Sequence, residues 1–200
     1  MSDIITSRVI RRGDISSLTA EKIRSLPVKE LFYIDELNFG PAGLICLDNA
    51  TEGYGARASL ALEQFAKLKP PYKLLDVGTG KGDVVECLRK YGIEAYGIDV
   101  VEIFPKREYF SRQDACNMEF PDGMFDAVFE YLLFNQIRRF EHDEESPKKI
   151  LKEIRRVLKS NGFLVVGFDE DIGFEENGFK CITPVQYRNP PRDLVYQKIG

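Results

Sequence analysis

Histidine occurs once, at His142, and the four cysteines, Cys46, Cys87, Cys116 and Cys181, stand far apart with no CxxC pair. A structural zinc site draws on clustered Cys and His ligands, so no metal centre is expected. Scattered thiols read as free cysteines of a reducing compartment. No apolar run reaches the roughly 18 residues that a membrane-spanning helix needs. The opening stretch, MSDIITSRVIRRGDISS, has neither the apolar core nor the small-residue cleavage site of a secretory signal. A cytoplasmic location is the expectation from these absences. A basic excess is missing too: 28 Lys and Arg against 32 Asp and Glu leave a net charge of −4, which weighs against a general nucleic-acid binder. Room remains for one local basic patch, built from Arg8, Arg11 and Arg12 or from Arg188, Arg192 and Lys198, although solvated surface charge is the plainer account of them. No internal repeat and no low-complexity segment occurs, and nothing fixes an oligomeric state.

With 44% hydrophobic and 30% charged residues over 200 positions, the chain has the make-up of one ordinary globular domain. Its style changes near Lys69-Pro70-Pro71. Before that point the pattern is irregular, with helix-like stretches at Thr19–Leu26 and Arg57–Leu68. Residues 1–70 therefore read as a cap packed on a core formed by residues 71–200.

Within the core, strand-like and helix-like segments alternate. Tyr72–Val77, Glu94–Asp99, Tyr109–Arg112, Phe125–Tyr131 and Phe163–Phe168 are strand candidates, the first ending in a glycine cluster and the fourth entered through Pro121-Asp122-Gly123. Asp83–Tyr91 places Val84, Leu88 and Tyr91 on one helical face. A better-marked helix begins at Ser146 as N-cap with Pro147 in the first turn, carries the stripe Ile150, Leu151, Ile154, Val157 and Leu158, and is expected to stop at Asn161-Gly162. Phe179–Tyr187 and Asp193–Ile199 are extended segments joined by Asn189-Pro190-Pro191. A joint that short suits a hairpin, since a parallel crossover takes a dozen residues or more. The whole predicts a Rossmann-like α/β fold: an open, mostly parallel seven-stranded sheet with an antiparallel C-terminal hairpin and helices on both faces.

The chemistry concentrates in Asp76-Val77-Gly78-Thr79-Gly80-Lys81-Gly82-Asp83, between a strand and a helix, where open α/β sheets bind ligands. Two phosphate-binding readings fail on residues. A dinucleotide fingerprint needs glycine where Asp83 stands, and an aspartate there opposes a pyrophosphate at the helix N-terminus. A P-loop needs glycine at Leu75 and Ser or Thr at Gly82. What remains is GxGxG preceded by an acid, which resembles the first motif of class I S-adenosylmethionine-dependent methyltransferases. That cofactor carries a sulfonium and an ammonium and no phosphate, so an acid-flanked loop suits it. The stretches DACNMEFPDGMFDAVFEYLLFN and ILKEIRRVLKSNGFLVVGF extend the likeness; they are similar to methyltransferase domains of the menaquinone/ubiquinone-biosynthesis type. The resemblance covers residues 72–168 and, in topology, the C-terminal hairpin.

It implies an enzyme that uses S-adenosyl-L-methionine and releases S-adenosyl-L-homocysteine, with a small molecule as methyl acceptor. For the cofactor it implies Asp76, Gly78, Thr79, Gly80 and Gly82 around the amino-acid part, Asp99 and Val100 at the ribose, Asp114 and the Ala115 amide at the adenine, and Glu130 lining the site. Methyl transfer is a displacement at an already activated carbon, so positioning can suffice without a base. If a base acts, Glu130 and Tyr131 are the candidates, with Tyr33 and Tyr54 weaker ones. The chain departs from many relatives by having Leu133-Phe134-Asn135-Gln136 where they carry a histidine. It has no DPPY- or NPPY-type tetrapeptide for base amino-methylation, and no cysteine pair of the RNA-pyrimidine type. Two other readings stay open: an RNA or protein methyltransferase working through a basic patch or a partner, and a non-catalytic cofactor-binding regulator.

Overall fold

The computed structural model describes residues 58–59, 61–90, 92–102, 106–138, 143–167, 171–184 and 194–200. The chain divides into two compact units, Met1–Gly53 and Tyr54–Gly200, and every described residue belongs to the second. Most of the expected cap over residues 1–70, with Tyr33 and Tyr54, lies outside the described residues. So do Arg8, Arg11, Arg12, Arg188 and Arg192.

Seven strands form one sheet: β1 (Lys73–Val77), β2 (Glu94–Asp99), β3 (Phe110–Arg112), β4 (Phe125–Tyr131), β5 (Leu158–Gly167), β6 (Phe179–Cys181) and β7 (Leu194–Lys198). Their order is β3-β2-β1-β4-β5-β7-β6. The first five are parallel, and β7 runs antiparallel to both β5 and β6. The expected mixed sheet with an antiparallel closing pair is therefore present, with β7 inserted between β5 and β6. The segment 185–193 that joins the pair lies outside the described residues.

Helices α1 (Asp83–Lys90), α2 (Leu133–Gln136) and α3 (Ser146–Val157) connect the strands. Side-chain alternation along the strands feeds two cores. Leu75, Val77, Val128, Leu164 and Val166 pack with Ile150, Leu151, Ile154 and Val157 of α3. Leu74, Ala95, Ala127, Phe129 and Val165 pack on the opposite face with Val84, Val85 and Leu88 of α1, joined by Ala58, Ala61 and Leu62. Each large apolar side chain so buried contributes roughly 1.5–3 kcal/mol. Residues Leu62–Ala66, inside the expected helix over 57–68, form a π-helical turn that ends at Lys67 with φ 57°.

Both ends of α3 differ from expectation. The Ser146 side chain does not cap it; Ser146 is its first residue, and the Asp143 carboxylate upstream accepts from the backbone N–H groups of Glu145 and Ser146 and from the Ser146 hydroxyl. Nor does Asn161-Gly162 end it. The helix stops at Val157, the chain turns extended at Leu158, and β5 already includes Asn161 and Gly162. The left-handed Asn161 (φ 61°) falls at an irregularity in the β4–β5 ladder, where pairing jumps from Phe125↔Leu158 to Ala127↔Phe163. A left-handed Asn serves a bulge as well as a helix stop, and here the sheet claims it.

Arg156, on the last turn of α3, ties that helix to the segment entering β4. Its guanidinium donates to the carbonyls of Met118 and Phe120, to Asp122 and to both oxygens of Glu153. Cys87, Cys116 and Cys181 are free thiols. Among the described residues no helix is long and apolar enough to cross a membrane.

Candidate functional site

The register of the ladder decides which groups meet. Val77 at the end of β1 lies beside Ile98 of β2 and Glu130 of β4, and Asp99 at the end of β2 lies beside Arg112 at the end of β3. The carboxyl ends of β1, β2, β3 and β4 thus share one edge. β1 and β4 are neighbours although the chain visits β2 and β3 between them, so the strand order reverses there, the position at which open α/β sheets bind ligands. The loop 78–82 leaves β1 on this edge, with Asp99, Val100, Asp114, Ala115, Glu130 and Tyr131 at or just past the ends of the other strands. The sheet therefore gathers on one edge the cofactor-site and base candidates that the sequence marked within its described part.

The loop is anchored on β2. The amides of Gly78 and Thr79 both donate to the Ile98 carbonyl, at 3.0 and 2.9 Å, and the Gly82 amide donates to the Thr79 carbonyl at 2.9 Å. The Thr79 hydroxyl donates to Asp76 Oδ2 at 2.7 Å. Asp99 holds the loop from the other side: its Oδ2 accepts from the Gly80 amide at 2.9 Å and its Oδ1 from the Val101 amide at 2.9 Å.

The loop glycines do different things. Gly82 has φ +82°, and a Cβ there would overlap the Phe110 ring, so its bare α-carbon lets the loop settle on β3. A Cβ on Gly78 would sit 3.2 Å from the Leu133 side chain, whereas one on Gly80 would meet nothing within 4 Å. The loop is therefore open at Gly80, packed against protein at Gly82 and roofed by Leu133 at Gly78. The likeness to methyltransferases implied glycines that all face a ligand. In this structure Gly82 carries a packing constraint of its own, against Phe110.

Electrostatically the site is acidic and partly dry. Asp76 is 3% exposed. Burial raises its carboxyl pKa from 3.8 to about 7, the Thr79 hydrogen bond pulls it down, and the nearby Asp99 charge pushes it up again. Val100, 56% exposed, follows Asp99 as an open apolar side chain. Asp114 is exposed; its Oδ1 accepts from the Cys116 amide at 2.8 Å and its carbonyl from the Asn117 amide at 2.9 Å, which fixes the turn holding Ala115. Glu130 is fully buried, with Oε2 accepting from the Leu133 amide at 3.3 Å, and Tyr131 is half-buried.

Two parts of the site had no sequence signal. Leu132 adopts the left-handed region (φ 61°, ψ 5°), and the four-residue α2 starts straight after it. A leucine is not a residue that announces such a turn. Of the basic positions considered for a patch, Lys198 is the one described. It donates to the Leu158 carbonyl at 2.7 Å, at the amino edge of the parallel strands, opposite the loop.

The donor set suits a cation better than an anion. Asp76 and Asp99 flank the loop, and no lysine or arginine is hydrogen-bonded to either of them among the described residues. A ligand with an ammonium and a sulfonium relieves the Asp76–Asp99 repulsion, and a phosphate would increase it. Residues 75–166 match the profile of the methyltransferase domain family. The chain is 37% identical over 108 residues to the demethylmenaquinone methyltransferase of Thermotoga maritima, a match covering 48% of this chain and 43% of that protein. It is 34% identical over 120 residues to the demethylmenaquinone methyltransferase of Thermus thermophilus, covering 54% of this chain and 49% of that one. The matched stretch is thus less than half the length of each relative. Among solved structures, a SAM-dependent methyltransferase from Methanosarcina mazei superimposes with a TM-score of 0.52 at 16% identity, over 66% of this chain and 94% of that chain, a likeness of fold. Residues 75–166 thus resemble a methyltransferase domain in sequence profile, and the sheet that they help to build has the strand order of a Rossmann-like fold.

Proposed function

We propose that the chain binds S-adenosyl-L-methionine at the loop 78–82 and transfers its methyl group to a small-molecule acceptor, releasing S-adenosyl-L-homocysteine. The observation that carries this reading is the Asp99 carboxylate. It stands at the end of β2 beside the open Gly80, in hydrogen bonds to the loop amide and to Val101. A carboxylate with two such bonds keeps lone pairs for the two hydroxyls of a ribose. In this reading Asp76, Thr79 and Gly80 hold the amino-acid part and Asp99 the ribose. Val100, Asp114 and the Ala115 amide hold the adenine.

Bound there, the cofactor supplies a methyl carbon made electrophilic by its sulfonium. The chain's own residues orient it and keep water away. Asp76 compensates the ligand's positive charge once its own proton leaves, and the buried Glu130 and half-buried Tyr131 close the β4 end. Positioning alone can account for a large part of such a displacement, so no catalytic base is assigned. The small-molecule acceptor is supported by the partial likeness to the two demethylmenaquinone methyltransferases.

Calorimetric titration with S-adenosylmethionine and S-adenosylhomocysteine tests the reading. Binding by the wild-type chain, strongly weakened in Asp99→Ala, is the expected result. A folded wild-type protein that binds neither ligand would overturn it. Fold does not fix reaction, so turnover with a panel of quinol, phenol and amine acceptors then separates an enzyme from a cofactor-binding regulator.

A further inference from the structure

The β4–α2 junction is strained, half-buried and packed against the loop. Glu130 occupies the β4 register position between Val77 of β1 and Val166 of β5, so it sits where the strand order reverses. Its side chain has no solvent exposure. Oε2 accepts from the amide of Leu133, the first residue of α2. Between them Leu132 is held in the left-handed region, a conformation that costs a branched residue about 1–2 kcal/mol. Two backbone bonds help to fix it: the Leu132 amide donates to the Gly167 carbonyl of β5 at 3.1 Å, and the Leu132 carbonyl accepts from the Gln136 amide at 2.9 Å. The product of this turn is the place of the Leu133 side chain, whose Cδ1, Cβ and Cδ2 lie 3.2–3.6 Å from where a Gly78 Cβ would be.

We infer that Glu130 is a positioning residue, acting through the Leu132–Leu133 elbow to set Leu133 as the wall over Gly78, rather than a base that touches the methyl acceptor. This inference rests on the methyltransferase reading above. Three observations favour it over the role of base. The carboxylate is enclosed, one of its oxygens accepts from a backbone amide at the start of α2, and the residue it holds is the one that bounds the loop. A buried carboxylate in that place supplies an acceptor oxygen to an N–H that the short helix leaves without an intrahelical partner. It thereby offsets the strain at Leu132, and the loop gains a fixed apolar wall beside the open Gly80.

The two roles separate by conservative substitution. In Glu130→Gln the amide oxygen still accepts from Leu133, so a positioning residue keeps most of its effect, whereas a base loses its chemistry. The experiment is calorimetric titration of S-adenosylhomocysteine against the wild type, Glu130→Ala, Glu130→Gln and Leu133→Ala, each first checked for folding by near-UV circular dichroism. We expect Glu130→Ala to bind about tenfold more weakly and Glu130→Gln to return to within about threefold of the wild type. Leu133→Ala, which leaves the carboxylate intact, weakens binding in the same direction. If Glu130→Ala does not fold, the Gln and Leu133 variants carry the test. Unchanged affinity in Leu133→Ala, or Glu130→Gln as weak as Glu130→Ala, overturns the inference while leaving the methyltransferase reading in place. A wild type that does not bind the ligand overturns that reading first, and this one with it.

Discussion

Asp99 Oδ2 lies 2.9 Å from the Gly80 amide nitrogen, and this bond joins the end of β2 to the most open point of the loop that follows β1. The same carboxylate accepts from Val101. An acid expected to hold a ribose therefore also shapes the surface on which the rest of the ligand rests, so the two halves of the site are mechanically one.

Replacing that carboxylate has two consequences. Asp99→Ala removes both bonds and frees the Gly80 amide, so ligand affinity is expected to fall by one to two orders of magnitude, about 1.4–3 kcal/mol. Asp99→Asn keeps one acceptor oxygen and should fall between. Titration calorimetry on the three proteins checks the order; equal affinity in Asp99→Asn and Asp99→Ala would count against the loop-holding role.

The buried acid predicts a pH dependence whose sign is fixed. Asp76 titrates near 7 in the folded chain against 3.8 as its ordinary value. Between these values the folded state keeps a proton that the unfolded chain has given up. Stability from this group is thus fully present below 3.8, declines as pH rises and is lost above about 7, a change of order 4 kcal/mol at most. Urea unfolding of the ligand-free protein from pH 5 to 8 should show the decline, and Asp76→Asn should flatten it. A cationic ligand favours the ionised acid, so its affinity is expected to rise with pH up to about 7 and then level. Calorimetry in buffers of different ionisation enthalpy would detect the released proton.

At Gly82, a side chain is predicted to be intolerable for reasons of packing. Gly82→Ala drives a methyl into the Phe110 ring at a backbone angle of φ +82° and should destabilise the protein by about 2–4 kcal/mol. Phe110→Leu in the same chain relieves the ring contact but not the angle. The double mutant should therefore recover part of the loss, measured as a coupling energy in a denaturant-based cycle. No recovery would show that φ alone excludes the side chain.

Arg156 supports a contrasting prediction, because it lies in the helix–β4 tie and not on the ligand edge. Arg156→Met leaves Glu153, Asp122 and the carbonyls of Met118 and Phe120 without that donor. The guanidinium is 30% exposed, so solvent moderates the loss to about 2 kcal/mol. The urea midpoint should drop with little change in ligand affinity.

What the sequence made legible follows from what each feature depends on. The strand ends, Asp99 and the glycine loop were readable because apolar alternation, spacing and an acid at a strand end are local signals. The closing pair is antiparallel as expected, but β6 ends at Cys181 and β7 begins at Leu194, so the connection is longer than the Pro-rich joint from which the pairing was read. Asn161-Gly162 misled because a left-handed asparagine serves a helix stop and a strand irregularity equally, and only the β4 partner decides between them. Ser146 misled because Asp143, three residues earlier, takes both its amide and its hydroxyl, which leaves Ser146 as the first helical residue and not the cap. The Leu132 turn and the Leu133 wall were invisible, since they arise from Gly167 and Glu130 acting on a residue type that does not favour that geometry. The packing of Gly82 on Phe110 was not legible, because that ring comes from a strand far along the chain.

The place of β7 carries a consequence for how this sheet is assembled during synthesis. Strand β5 waits on residues 194–198 for its second neighbour, and among the described residues β6 pairs with no strand but β7. By the time β4 has left the ribosome the loop, Asp99 and Glu130 all exist, yet the sheet's far side is still an open edge, the kind that recruits other chains. The ligand edge is thus made early and the protective edge late, and a cofactor able to grip the first would steady the chain through the interval in which the second is missing.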